Sequence, residues 1–71
     1  MQALSAKQIV KVLVKNGFML SRQRGSHQIY QHRETGIIVP VPFHNGNKPI
    51  PIGTFLAIVK QSKIAKSQFI K

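Results

Sequence analysis

The chain contains no cysteine and only one acidic residue, and each of these shortages excludes a class of chemistry. Without cysteine the protein has no disulfide bonds and no thiolate ligands for zinc. Glu34 is the one acidic side chain, so the chain cannot assemble the carboxylate cluster that holds the divalent ions of a two-metal nuclease. We therefore expect neither a metal site nor any other cofactor.

Long hydrophobic runs are also missing. No apolar stretch approaches the roughly 18 residues needed to span a bilayer. Residues 1–5 lack the basic-then-apolar order of a signal peptide. These absences predict a soluble protein with no membrane partner, and the lack of cysteine fits a cytoplasmic location.

Positive charge, by contrast, is abundant. Eleven lysines and arginines face the single acid, which gives a formal net charge of +10. Such a chain repels itself unless phosphates or an acidic protein surface neutralise it, so we expect a polyanionic partner. A disordered basic tail is the alternative, but 42% of the residues are hydrophobic and fall in periodic runs that can build a core. The 71 residues are expected to form one domain, 1–71.

The first amphipathic segment predicts a helix over about residues 5–16. Ser5 is a suitable N-cap, and Asn16-Gly17 supplies residues that readily end a helix. The apolar positions recur at helical spacing and share one face: Ala6, Ile9, Val10 and Leu13. Three lysines line the opposite face, where we expect an ordinary solvated surface: Lys7, Lys11 and Lys15.

Alternating apolar and polar residues then predict three strands, over about residues 18–23, 27–33 and 37–42. In the first strand, Phe18 and Leu20 are expected to be the buried pair. Gly25 separates this strand from the second, and Glu34-Thr35-Gly36 predicts a tight hairpin turn before the third.

The third strand contains Pro40 and Pro42, which cannot donate to a ladder, and we therefore place it at the edge of the sheet. A loop over residues 43–51 leads to a second helix that begins near residue 52, and a last short turn is expected near Ala65. The core-facing positions of the second helix are predicted to be Phe55, Ile58, Val59 and Ser62. The order α-β-β-β-α predicts an α+β fold: a three-stranded antiparallel sheet with two helices on one face.

The segment with the most chemistry is Arg22-Gln23-Arg24-Gly25-Ser26-His27. It combines two guanidinium groups, a glycine, a hydroxyl and an imidazole. Histidine exchanges protons near neutral pH, and arginine forks match the oxygens of a phosphate. The segment therefore predicts a site that holds a phosphodiester and moves a proton on it.

Several short motifs, taken in order, resemble the HicA family of toxin mRNA interferases. They are Asn16-Gly17-Phe18, the segment from Arg22 to His27, Tyr30, Val41-Pro42-Phe43-His44-Asn45-Gly46, and Gly53-Thr54 before an apolar helix. The resemblance spans nearly the whole chain. It implies a fold like the double-stranded-RNA-binding domain, metal-independent cleavage of mRNA by the histidine of the Gly-Ser-His motif, and neutralisation by a HicB-type antitoxin.

Under this resemblance, His27 matches the catalytic histidine, with Gly25 and Ser26 as its neighbours. The chemistry of the residues agrees, because without metal ligands the remaining route is attack by the RNA's own 2′-hydroxyl on the adjacent phosphate. His27 would act as general base, or as general acid for the leaving 5′-oxygen. Gly25 would let the RNA backbone approach, and Ser26 would donate to a phosphate or orient the turn.

Three cations are candidates for contacts with RNA phosphates. Arg22 and Arg24 lie two residues apart on a strand and are expected to share a face, whereas whether both face His27 is left open. Lys48, in the loop before the second helix, is a further RNA-binding candidate. Their charge would stabilise the negative charge that develops on the phosphate.

Other roles remain open for the histidines and the tyrosine. His27 could instead be a partly buried residue that bonds to the backbone. His32 is expected to be an exposed strand residue, and His44 either holds its loop or contacts RNA. Tyr30 is expected to pack in the fold rather than stack on bases.

Two other functions also remain open. A non-catalytic RNA-binding module would need the basic fold but not His27. A DNA-binding regulator would need a recognition helix, and the sequence has no clear helix-turn-helix pair.

Overall fold

The computed structural model describes residues 4–43 and 47–70. Its elements are α1 (Ala6–Lys15), β1 (Phe18–Arg24), β2 (His27–His32), β3 (Ile38–Pro42) and α2 (Ile52–Ser62), followed by a 3₁₀ turn at Lys66–Gln68. The strands form one antiparallel sheet in the order β1-β2-β3. The α+β prediction with the order α-β-β-β-α is therefore confirmed, including the short turn after α2.

Local sequence signals account for both ends of α1. Ser5 and Gln8 form a capping box, in which the Ser5 hydroxyl accepts from the Gln8 backbone at 3.2 Å and the Gln8 side chain accepts from the Ser5 backbone at 2.9 Å. Asn16 caps the other end, and Gly17 follows with a φ of 94°. These contacts satisfy backbone groups that a helix end leaves unpaired, so the helix begins and ends where the sequence indicates.

Both helices cover the same face of the sheet. The buried hydrophobic side chains come from α1, the sheet, α2 and the segments beside them: Ala6, Ile9, Leu13, Phe18, Tyr30, Val39, Val41, Ile50, Phe55, Ile58 and Phe69. Phe69 lies beyond α2 and contacts Phe55 edge to face, with 5.7 Å between ring centroids. Within residues 4–43 and 47–70 no helix packs on the opposite face of the sheet, which we call the open face.

The helix α2 has the predicted inward positions. Phe55, Ile58 and Ser62 are buried and Val59 is half-buried. Ser62 is satisfied by its hydroxyl, which donates to the Val59 carbonyl at 2.8 Å. Neither helix of the described residues is long and apolar enough to cross a membrane.

One predicted strand position is wrong. Leu20 is 50% exposed, close to the 53% of its neighbour Met19, so the expected alternation of burial ends after Phe18. The physical reason is that β1 is an edge strand, with β2 on one side and, among residues 4–43 and 47–70, no strand on the other. Leu20 therefore lacks half of the neighbours that a central position would have.

The prolines of β3 lie at an edge, as predicted. The Phe43 backbone N–H donates to the Ser26 carbonyl of the β2 side at 2.7 Å. Successive backbone N–H groups of a strand point alternately toward and away from the neighbouring strand. The nitrogens of Pro40 and Pro42 therefore face the outer edge of the sheet, where no hydrogen bond to β2 is lost. The prolines thus cost the sheet no hydrogen bond and discourage a further strand from pairing there.

Candidate active site

The strand register arranges the side chains of the open face in three rows. Directly paired residues in antiparallel strands project to the same face. The first row is Arg24, His27 and Pro42, the second is Arg22, Ile29 and Pro40, and the third is Met19, Gln31 and Ile38. The positions between these rows, such as buried Tyr30 and Val39, project toward the helices.

A β-bulge at Ser21 brings both arginines to the open face. The strand β1 starts with Phe18 facing the helices, and strict alternation would turn Arg22 and Arg24 to that same buried side. The pairing register instead shifts between Leu20 and Arg22. Ser21 is the extra residue, and it reverses the facing of every position after it. The expectation that Arg22 and Arg24 share a face is confirmed by this register, which places His27 on that face as well.

The Gly25-Ser26 dipeptide is a two-residue hairpin turn closed by the pair Arg24 and His27. Gly25 has a φ of 59°, the positive value that a type II′ turn places at its first central residue. A Cβ on Gly25 would meet no heavy atom within 4 Å, so the backbone conformation rather than space within the fold requires glycine. The Ser26 carbonyl accepts from Phe43, which ties the turn to the end of β3.

His27 begins the central strand and is exposed. The alternative of a partly buried histidine is therefore wrong. Arg24 is its direct cross-strand partner and Arg22 its diagonal neighbour; such positions typically lie about 5 Å and about 7–8 Å apart at Cβ. Both guanidinium groups are on side chains long enough to meet a phosphate that also contacts the imidazole.

Lys48 does not belong to these rows. It is exposed, between two residues, Asn47 and Pro49, that line a cleft with α1 residues such as Lys7 and Lys11. The Pro49 backbone forms an isolated bridge with Ser5. The structure therefore brings Lys48 to the helix side of the fold, and its contact with RNA stays a prediction.

His32 is a strand residue, as expected, but its side chain is half-buried rather than exposed and has a structural role. Its Nδ1 accepts from the backbone N–H groups of Glu34 at 3.1 Å and Thr35 at 3.2 Å. Its half-buried ring meets Phe18 edge to face at 5.1 Å, and a Cβ on Gly17 would lie 2.8 Å from its Nε2. His32 thus organises the turn between β2 and β3, on the face opposite His27.

Tyr30 packs in the core, as expected. It is 5% exposed, and its hydroxyl donates to the Gln28 side-chain oxygen at 2.9 Å. Burial raises the pKa of Tyr30 above its ordinary value, because the phenolate loses solvation. Because the ring faces the helices, it is not a stacking platform on the open face.

The sequence alone did not predict the third row of the open face. Met19, Gln31 and Ile38 lie far apart in the chain, and only strand pairing aligns them. The prediction for His44 lies outside the described residues. In the part of the chain that the structure describes, no three histidine, aspartate or glutamate side chains are grouped as metal ligands.

The fold and the open face define a small, strongly basic α+β protein that presents an imidazole beside two arginines of the neighbouring strand. The chain belongs to the HicA toxin family: the family model described as "HicA toxin of bacterial toxin-antitoxin" matches residues 6–64. No curated protein sequence matches the chain. The protein is thus a toxin of a toxin–antitoxin system, and its family implies an antitoxin partner.

Proposed function

We propose that this toxin is an endoribonuclease that cleaves mRNA without a metal ion, with His27 as its catalytic residue. The observation that carries the proposal is the placement of His27 with Arg22 and Arg24 on the open face. An imidazole supplies proton transfer and the arginines supply positive charge, which are the two requirements for cleaving a phosphodiester with its own hydroxyl as nucleophile.

The reaction begins with the RNA's 2′-hydroxyl. Its oxygen attacks the adjacent phosphorus, a new O2′–P bond forms, and the P–O5′ bond breaks. The products are a 2′,3′-cyclic phosphate and a 5′-hydroxyl. His27 removes the proton of the 2′-hydroxyl as general base, or in its protonated form donates to the leaving 5′-oxygen as general acid. Such a proton transfer is typically worth about a hundred- to ten-thousand-fold in rate.

The residues around His27 hold the phosphate. Arg22 and Arg24 present planar forks that match two phosphate oxygens, and both lie on the strand that pairs with His27. The turn of Gly25 and Ser26 lies directly before His27, where the RNA backbone approaches, and Ser26 either donates to a phosphate or orients the turn. Lys48 is a contact for RNA outside the rows of the sheet.

The substrate is a polyanion rather than a small metabolite. The net charge of +10 is far more than one phosphate requires, and the single acid, Glu34, lies in the turn beyond the third row. Neutralising many phosphates releases counterions, which strengthens binding to RNA at low salt.

The antitoxin is proposed to be a HicB-type protein with an acidic surface that covers the His27 side of the sheet. Opposite charge would steer the two proteins together rapidly. Co-purification followed by mapping of protected amides would test this proposal. A partner that protects only the helix side of the toxin would contradict it.

The test of the ribonuclease proposal compares the wild type with His27→Ala. On induction, the wild type should arrest growth and degrade mRNA, whereas His27→Ala should do neither. The purified wild type should cleave RNA in EDTA and leave 2′,3′-cyclic phosphate ends. Growth arrest by the alanine variant, or loss of cleavage on chelation, would contradict the mechanism.

A second comparison separates cleavage from binding. Circular dichroism must show that His27→Ala is folded, and its affinity for RNA should stay close to that of the wild type. If the wild type binds RNA and leaves it intact, the protein is instead a non-catalytic RNA-binding module. The large positive charge is the observation that favours this second function.

A further inference from the structure

The third row of the open face has no role in the mechanism above. Met19 is 53% exposed and Ile38 is 48% exposed, which places both among the most exposed large hydrophobic residues of the chain. Gln31 lies between them on β2, is exposed, and its side chain makes no hydrogen bond within the described residues. A free carboxamide between two aliphatic side chains is therefore available to a ligand.

A shallow cleft of about 470 Å³ adjoins this row. Met19 and Gln31 line it from two strands, the bulge residue Ser21 also contributes, and the turn over residues 33–36 forms its end. Ile38 lies next to Gln31 on the other side of the row, outside the lining of the cleft. The bulge thus both turns the arginines to the open face and shapes the cleft beside Gln31.

The charge of the cleft differs from that of the first two rows. Arg33 and Glu34 both line it, so one charge of each sign is present. The first two rows contain Arg22 and Arg24 and no acid. Phosphates are therefore favoured at the first two rows, whereas the cleft suits a group with little net charge and an apolar face.

We propose that Met19, Gln31 and Ile38 form a base-recognition subsite for single-stranded RNA. The aliphatic side chains contact the face of one base, and the Gln31 carboxamide, which is both donor and acceptor, hydrogen-bonds to its edge. This inference rests on the proposed function of the same face. Gln31 is four residues from His27 along β2, or about 13 Å, so the base belongs to a nucleotide that flanks the cleaved bond.

RNA is favoured over a protein as the occupant of the third row. The row continues directly into the two cationic rows, so one strand can place phosphates on the arginines and a base on Gln31. The antitoxin proposed above would cover this face in the toxin–antitoxin complex, whereas in the free toxin the row is exposed and open to RNA. The docking of a protein alone is kept as an outcome of the test.

The test measures cleavage preference rather than total activity. Purified wild type, Gln31→Ala and Gln31→Glu are incubated with an RNA that contains a randomised segment, and the new ends are sequenced. The wild type should prefer certain bases at one position near the cut. In Gln31→Ala the ratio of cleavage at preferred bases to cleavage at other bases should fall by about five-fold or more. Gln31→Glu should shift it toward bases that present donors, because a carboxylate only accepts.

Gln68→Ala is the matched control, because Gln68 is an exposed glutamine outside the sheet. It should keep the wild-type preference. A wild type without any preference, or an unchanged preference in both Gln31 variants, would overturn the subsite while leaving the ribonuclease proposal intact. An unchanged preference in both Gln31 variants would also be expected if a protein rather than RNA docks on the row.

Failure of the ribonuclease proposal gives a different result, because no RNA is then cut at all. In that case the same proteins are titrated with fluorescent oligonucleotides of A, C or U. Gln31→Ala should still change the ratio of the three affinities by about five-fold. Equal ratios in the wild type and the variant would overturn the subsite. Circular dichroism of each variant confirms that it is folded.

Discussion

Arg24 and His27 pair directly across the two-residue turn that joins β1 to β2. The pair sets an arginine beside an imidazole at the start of the central strand, with Pro42 completing the row on the other side. Because cross-strand partners lie about 5 Å apart at Cβ, the turn and the register, rather than a pocket, define the proposed site.

The β-bulge leads to a prediction for deletion of Ser21. Deleting this extra residue should leave Leu20 opposite Tyr30 and Arg22 opposite Ile29 in a regular ladder, which keeps Arg22 on the open face. We expect the deletion variant to retain RNA affinity in oligonucleotide titrations and to be folded by circular dichroism. Ser21→Ala retains the bulge and should also keep the wild-type affinity. A deletion variant that is folded but has lost most of its RNA affinity would contradict this register.

Gly25 and Gly53 should respond oppositely to alanine. Gly25 has a φ of 59°, so Gly25→Ala should destabilise the fold by about 1–2 kcal/mol through backbone strain. Gly53 lies in α2 with open space at its Cβ position, so Gly53→Ala should be neutral or stabilising by up to about 1 kcal/mol. Urea unfolding of both variants measures the difference. Equal effects would mean that the conformation of the turn is not what requires Gly25.

Alanine substitutions of the two described histidines should have opposite effects on RNA cleavage and on stability. His27→Ala should abolish RNA cleavage with little change in stability, because the side chain is exposed. His32→Ala removes the acceptor for the Glu34 and Thr35 backbone N–H groups, and should cost about 1–3 kcal/mol. At a temperature where it is folded, His32→Ala should still cleave RNA. Cleavage lost in His32→Ala despite an intact fold would assign that histidine a catalytic role.

The burial of Tyr30 predicts that the folded protein loses stability at alkaline pH. Its pKa is raised by burial in the folded state, so the unfolded chain releases the phenolic proton first. The contribution of the neutral phenol is therefore fully present below about pH 10 and is lost as the pH rises through the folded-state value. Tyr30→Phe should unfold with a shallower pH dependence above pH 10 in urea titrations.

The ultraviolet absorbance of the phenolate reports the same event directly, because Tyr30 is the one tyrosine in the chain. Ionisation in the folded wild type should occur at higher pH than in urea. Identical titrations in the two states would contradict the effect of burial.

Local patterns in the sequence determined the elements of this protein. The spacing of Ile9 and Leu13 indicated α1, Gly25 and Gly36 marked the turns, and the prolines of β3 indicated an edge strand. Each of these signals acts over a few residues, which is why the predicted ends of α1 and the strands differ from the structure by a single residue. The segment from Arg22 to His27 also concentrated the relevant chemistry without any knowledge of the fold.

The tertiary structure alone decided which face those side chains occupy. Strand register depends on partners distant in sequence, so the bulge at Ser21, and with it the facing of Arg22 and Arg24, could not be read from the alternation of one strand. For the same reason the exposure of Leu20 and the turn-organising role of His32 emerged only with the neighbouring strands and helices in place. Residue type determined the available chemistry, whereas the pairing of strands determined which groups meet.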